Sequence, residues 1–491
     1  MLPRFKILAL LAAASGSLHG ADLTVKYLFP AGGQAGSRIS VTCAGILESW
    51  PIGVWTDDAG LRFIPGQTPG QFEVEISSSV RIGPHLVRFY HPTSVTPPLQ
   101  FVVGNSPEFI ASSSSNALTT PVIDSFPATF NGLITRTNRV NTYTLRLPDS
   151  CKLEAAVCAV ALDAPTSLSI ELLDEKTNRV ALQHAAPDHD TTLSSFISAG
   201  GVYLLRVFMN GAGDVQSKLL QTEAAVYRVA VSANPAKPPP TTTVEAPRSL
   251  QTVVEMFRPM VAVRTLMIPS LTRGVIAPAG RQINYGFETR GQERFRFRVI
   301  ARSIDSPLQP RLRVLDSEMN VLAEAPPAGD AELIWVSPGA GNYIVAVSDM
   351  EENGGPLYSF QLEVASPEPF FRATVESHSY TLKPGGSTPV VVNLKRPAGS
   401  TSILQVSALS LPDGISCVPQ TAEPAADKVT LQLKADSTAP PANQPFVVSV
   451  VDVRSVPPQL GYATAPLVGR YAPLGKLLIN ETDQLWLTVA P

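Results

Sequence analysis

A chain of 491 residues is too long for a single hydrophobic core, so several domains are expected. Its formal net charge of −3, from 38 basic and 41 acidic side chains, excludes the basic field that nucleic acid or an anionic membrane surface requires. Proline, at 45 residues, is nearly twice as frequent as usual and charged residues are sparse, which favours short strands, edges and turns.

In chain order, Arg4 and Lys6 precede an apolar run from Ile7 to Ala14, followed by the small residues Ser15, Gly16 and Ser17. This is the pattern of an export signal, assigned to residues 1–20. The run is too short to span a bilayer, and no later stretch holds about 18 unbroken apolar residues, so no transmembrane segment is expected.

Residues 22–105 alternate apolar and polar at Val25, Tyr27 and Phe29, at Ile39, Val41 and Cys43, and at Phe72, Val74 and Ile76. Gly/Pro turns separate these runs, and Leu86–Tyr90 and Leu99–Val103 add further strands, so an antiparallel sandwich is predicted. The stretch from Phe29-Pro-Ala-Gly-Gly-Gln-Ala-Gly36 to Phe101-Val-Val-Gly-Asn105 resembles the immunoglobulin-like TIG domain, which implies architecture and little about function. Residues 106–125 read as a polar linker.

The stretch from Gly132 to Asp174 recurs at Gly274 to Asp316, 142 positions on and without a gap. Identical pairs include Gly132/Gly274, Tyr143/Tyr285, Asp163/Asp305, Pro165/Pro307 and Asp174/Asp316. A duplicated β module is therefore predicted, the first copy over 126–233 and the second over 249–366, joined by the Pro-rich linker 234–248. Residues 249–266 fit a short helix or a strand. Period-two alternation in the first copy puts Arg146, Lys152, Glu154 and Glu171 on wet faces. The start Asn131-Gly132-Leu133-Ile134, the strand tyrosines Tyr143 and Tyr285, and the late Gly201-Val202-Tyr203 and Gly341-Asn342-Tyr343 resemble the bacterial pre-peptidase C-terminal domain, a jelly-roll-like sandwich. That resemblance implies an accessory role beside secreted hydrolases. The family's leading acidic motif is degenerate here, with Ser114-Ser115-Asn116 in its place. Residues 367–491 carry strand patterns at Val390–Leu394, Val429–Leu433 and Phe446–Val450 and resemble a C-terminal immunoglobulin-like domain. The predicted fold class is all-β, as serial antiparallel β-sandwiches.

Side chains with chemistry are scattered. No nucleophile elbow, zinc-protease helix motif or phosphate loop is present. Cys151 and Cys158 fall on one predicted strand, about 23 Å apart at about 3.3 Å per residue, too far for a disulfide. The default for Cys43, Cys151, Cys158 and Cys417 is the free thiol. His85 and His91 flank one predicted strand and read as exposed strand-end residues. Asp188-His189-Asp190, with Asp330 near the matching place, and the acidic stretch Asp349, Glu351, Glu352 and Asn353 are the loops that would admit calcium. The repeated Asp163/Asp305 and Asp174/Asp316 precede turn residues and read as turn caps. Arg294, Arg296 and Arg298 form an outward comb.

No catalytic, cofactor or metal residues are assigned, and no cofactor is expected apart from that calcium option. The reading is an exported, non-catalytic protein of the bacterial cell envelope acting in binding, adhesion or targeting, with a polysaccharide or an envelope protein as partner. The alternatives are an accessory component of a secreted peptidase or hydrolase system, and a structural spacer or surface-layer element. A ligand is expected first on the second copy, with its arginine face and its 349–353 loop.

Overall fold

The computed structural model describes residues 23–491 except 48–49, 112–120, 210–223, 236–262, 267, 269, 292, 305, 356–357, 365–370, 398–399, 456–457 and 472–475. The export signal, Ser112–Ser115, most of the Pro-rich linker, Asp305 and residues 249–262 lie outside the described residues. Among the described residues, the regular elements are β-strands and two one-turn 3-10 helices, Val160–Leu162 and Arg302–Ile304. The strands pair into sheets that stack as serial sandwiches, and the sheets are mostly antiparallel.

The two repeats share one topology. One sheet of the first repeat runs Ala128–Ile134, Ala225–Pro235, Cys151–Cys158, Thr192–Ile197 in order, with Glu108–Ile110 added at one edge. The second repeat answers with Ser270–Val275, Ser359–Val364, Arg294–Ile300, Ala331–Val336. The facing sheets correspond likewise, Val140–Leu147, Gly201–Met209, Leu168–Asp174, Arg179–Gln183 in one and Ile283–Arg290, Ala340–Asp349, Pro310–Leu315, Val321–Glu324 in the other. Val263–Thr265 pairs in parallel with Ile283–Arg290, which settles that end of the ambiguous 249–266 stretch as strand.

The shared glycine of the repeat has a packing cause. Gly132 sits opposite Tyr227 in register, and a Cβ there would lie 2.1 Å from Tyr227 Cζ. Gly274 faces Phe360, whose Cζ would lie 2.4 Å from the added carbon. An aromatic ring from the neighbouring strand covers the bare backbone in each copy, and only glycine leaves room for it. Tyr227 is fully buried and bonds Tyr143 Oη at 2.8 Å, while Asn141 Nδ2 donates to Tyr227 Oη at 2.9 Å.

The first sandwich departs from simple alternation. A bulge between Val25 and Tyr27 shifts the register of Leu23–Phe29, so Val25 and Leu28 are buried where Val25, Tyr27 and Phe29 were expected to share a face. Strand Gly83–His91 is buried on both faces. Val87 and Phe89 enter the core, joined there by Ile300 and Ile304 of the second repeat. Leu86 and Arg88, on the other face, are also buried, Arg88 against the fourth sandwich. The last sandwich closes with Leu485–Val489, which pairs in parallel with Ser379–Leu382 and antiparallel with Ala442–Asp452.

The first sandwich touches all three others. Against the fourth, Arg88 Nη1 lies 3.2 Å from His378 Nδ1 and its guanidinium 5.7 Å from the Trp486 ring, with Trp55 and Tyr90 at 5.9 and 5.3 Å from the same ring. Gln100 exchanges side-chain hydrogen bonds with the backbone of Ile479. Against the first repeat, Gly32 leaves space for Arg228, whose Nη1 would lie 2.0 Å from a Cβ at that position. Arg228 makes a two-point ion pair with Glu108 at 2.8 Å, both side chains nearly buried. The Gly32-Gly33 of the predicted turn is thus strand, paired in parallel with Leu99–Gly104, and its first glycine is needed for a neighbouring domain's arginine.

Candidate functional site

The residues singled out in the sequence do not gather. His85 lies inside Gly83–His91 and His91 ends it, and both are buried, at 0% and 8% exposure, not exposed as expected. Stacked neighbours cover both sides of this strand, which alternation alone does not reveal. His85 Nδ1 contacts Asp57 Oδ1 at 2.7 Å and its Nε2 contacts Arg81 O at 2.5 Å, whereas His91 Nε2 contacts Ser94 Oγ at 3.0 Å. Six residues of strand separate the two rings by about 20 Å.

The acidic loops are occupied by the protein's own donors. Asp190 accepts the N–H groups of Ala159, Val160 and Ala161 at 2.7, 2.8 and 3.0 Å and so closes the 3-10 turn Val160–Leu162. Asp330 accepts from Ala301 in the same place of the second repeat. Asp349 is buried and accepts from Gln309, Glu351 and Asn353. Glu351 receives Lys152 of the first repeat at 3.1 Å. Among the described residues, no three His, Cys, Asp or Glu side chains assemble as metal ligands, and none of the four cysteines is in a disulfide.

The repeated aspartates split in role. Asp174 accepts from Asn178 N and Nδ2 at 2.7 and 2.9 Å, and Asp316 from Asn320 N and Nδ2 at 2.8 and 2.9 Å, so both cap their turns as expected. Asp163, at φ 66°, instead accepts the backbone N–H groups of Arg470 and Tyr471 at 2.9 and 2.8 Å and pins a loop of the last sandwich to the first repeat. The arginine comb is part of a mixed face. Arg298 lies opposite Glu332 and Glu363 in register, Arg296 opposite Ile334 and Arg294 opposite Val336.

The side chains that do converge centre on one that was read as solvent-facing. Glu171, expected on a wet face, is 5% exposed. It lies on the outward face of Leu168–Asp174, where the neighbouring strands bring an arginine from each side. Arg179 Nε reaches Glu171 Oε2 at 3.0 Å across the hairpin, and Arg206 Nη1 reaches Oε1 at 2.8 Å from Gly201–Met209, which pairs Arg206 directly with Glu171. The two guanidinium groups roof the carboxylate, which is why alternation failed to forecast its burial. Thr142, in register with Arg206, and Thr177 stand beside them, and Leu173 and Leu204 supply the apolar part of a cleft of about 400 Å³.

Each arginine uses one nitrogen on Glu171. Each therefore keeps most of its five N–H donors, held in place by the buried carboxylate, and the trio carries a net charge of about +1. Such a cleft can take up an anionic group. The only sequence signal for it was three charged residues on neighbouring strands, and their register was not readable before the pairing was known.

No protein-family model matches the chain, and no curated protein matches it. Among solved structures, the pre-peptidase C-terminal domain of a Bacillus anthracis collagenase aligns at 14% identity and a TM-score of 0.19, covering 22% of this chain and 98% of that domain. Trypsin-activated alpha-2-macroglobulin from Escherichia coli aligns at 7% identity and 0.19, covering 90% of this chain and 49% of that one. Domains 1–6 of the surface layer protein SbsC align at 10% identity and 0.14, covering 90% and 40%. At these TM-scores the likenesses carry no functional weight.

Proposed function

We propose that this is an exported, non-catalytic binding and adhesion protein of the bacterial cell envelope, which holds an anionic ligand in the cleft of its first repeat. The carrying observation is Glu171, buried between Arg179 and Arg206, which fixes two guanidinium groups with donors to spare. Export is supported by the charged start and apolar run at Arg4–Ala14. Binding is further supported by the way the sandwiches lock together. A buried Arg88 against the last sandwich, Arg228 seated at Gly32 of the first, and Asp163 bonded to the Arg470 loop join neighbouring sandwiches into a scaffold that presents the cleft at a fixed orientation.

The test is retention of the immobilised full-length protein on fractionated envelope polysaccharides, with and without calcium. Saturable retention that R206A weakens supports the reading. Retention unchanged by R206A, or turnover of any polysaccharide in the panel, sinks it.

A further inference from the structure

The first repeat holds the Arg179–Glu171–Arg206 trio and the second repeat does not, although the two share strand order and turn caps. Where the first has Glu171, Arg179 and Arg206, the second has Arg313, Val321 and Ala346, placed by the same registers: Glu171 faces Arg206 as Arg313 faces Ala346, and Arg179 and Val321 each face the leucine before the capping aspartate. Folding of the module therefore does not need the trio. Stability explains it poorly, because Glu171 loses its hydration on burial while Arg179 and Arg206 keep 59% and 36% of their side chains exposed, where ion pairing returns little. The neighbouring turn adds a second cost. Thr177 sits at φ 64°, a left-handed conformation that a β-branched side chain resists, whereas the second repeat uses the unbranched Met319 at φ 71°. The first repeat carries this strain at a position where the threonine lines the cleft.

We propose that this cleft binds a carboxylate-bearing saccharide, one uronate unit of a longer chain. The inference rests on the binding reading above and names its ligand. Planar guanidinium groups, anchored at one nitrogen each, offer paired N–H donors that match the two oxygens of a planar carboxylate. The hydroxyls of Thr142 and Thr177 are placed to meet ring hydroxyls, and Leu173 and Leu204 give an apolar surface for the C–H face of a sugar ring. The cleft lies open on an outward sheet face, so a polymer can enter and leave on either side of the bound unit. A net charge of about +1 makes the attraction modest and sensitive to salt.

The experiment measures binding of the full-length protein to polygalacturonate, to neutral dextran and to dextran sulfate by affinity electrophoresis and calorimetry. Polygalacturonate is expected to bind saturably, dextran not at all, and dextran sulfate more weakly than polygalacturonate. Truncation of either arginine, R179A or R206A, is expected to weaken binding about ten-fold, the loss of charge-assisted hydrogen bonds. The triple change E171R/R179V/R206A installs the residues that the second repeat carries at these positions, has its fold checked by circular dichroism, and is expected to abolish binding. Polygalacturonate binding that survives the triple change overturns the site. Dextran sulfate binding as tight as polygalacturonate overturns the carboxylate assignment in favour of plain polyanion attraction. If polygalacturonate fails while envelope polysaccharides are still retained through Arg206, the ligand class is wrong and the binding reading stands. If both fail, both are wrong.

Discussion

The guanidinium of Arg88 lies 5.7 Å from the indole ring of Trp486, and both residues are essentially buried, at 0% and 1% exposure. The contact joins strand Gly83–His91 of the first sandwich to the C-terminal strand Leu485–Val489 of the last. Among the described residues, no carboxylate pairs with Arg88. Its neighbours are the Trp486 ring, His378 Nδ1 and O, and its Nε has no hydrogen-bond partner.

Side-chain volume, more than charge, is then what this interface requires of Arg88. Replacement by alanine is expected to lower stability by about 2–4 kcal/mol through the cavity it leaves. Arg88→Met keeps the volume and removes a poorly satisfied charge, so it is expected to cost under about 1 kcal/mol. Denaturant unfolding of both variants checks the contrast, and equal losses would show that the charge matters as much as the bulk.

The same interface is expected to make the protein acid-sensitive. Burial, and then the positive charge of Arg88, push His378 down to about 4 from 6.5. In the unfolded chain the imidazole picks up its proton near pH 6.5, while the folded protein resists protonation until about pH 4. The unfolded state thus binds more protons in this window, and the stability that His378 contributes is complete above about pH 6.5 and is lost as the pH falls toward 4. Unfolding measured from pH 7.5 to 4 is expected to show this decline, and His378→Gln to flatten it. An unchanged slope in the variant would assign the acid sensitivity elsewhere.

Glycine at the repeat's marker position is expected to be irreplaceable. Gly132→Ala forces a carbon to within 2.1 Å of Tyr227 Cζ, and Gly274→Ala does the same against Phe360. Each is expected to cost about 2–3 kcal/mol, the range of overpacking in a closed core. Gly339→Ala is the control, since nothing lies within 4 Å of its added carbon. Thermal unfolding should separate the first two from the third.

Asp163 is expected to act locally. Asp163→Gly keeps the left-handed backbone available and removes the carboxylate that accepts from Arg470 and Tyr471. Hydrogen exchange at those two amides is expected to accelerate by about ten-fold, the loss of charge-assisted bonds. Amides in the core strand Ala225–Pro235 are expected to keep their protection. Uniform acceleration across the chain would mean that the clamp supports the global fold.

Much of the architecture could be read from residue order alone. Period-two alternation marked the strands, and the 142-residue repeat marked a duplicated module whose turn caps, Asp174–Asn178 and Asp316–Asn320, are local hydrogen bonds between residues four apart. The candidate site was not legible in this way. Glu171 looked wet because alternation reports which face of a strand a side chain occupies. Whether something covers that face depends on strands that arrive 8 and 35 positions later.

The sandwich architecture, the repeat and the turns follow from residue order, because strand alternation, turn chemistry and self-similarity are properties of the chain that survive without partners. The rest arises on folding. Register placed Arg179 and Arg206 on Glu171, turned Gly132 into a seat for Tyr227, and set Asp163 on the loop at Arg470. Domain packing buried Arg88, and the first sandwich's own fold buried His85 against Asp57 and Arg81; no pattern along the chain distinguishes either from a surface residue. Each of these depends on pairings between segments far apart in the chain, and burial is a property of the neighbours as much as of the residue.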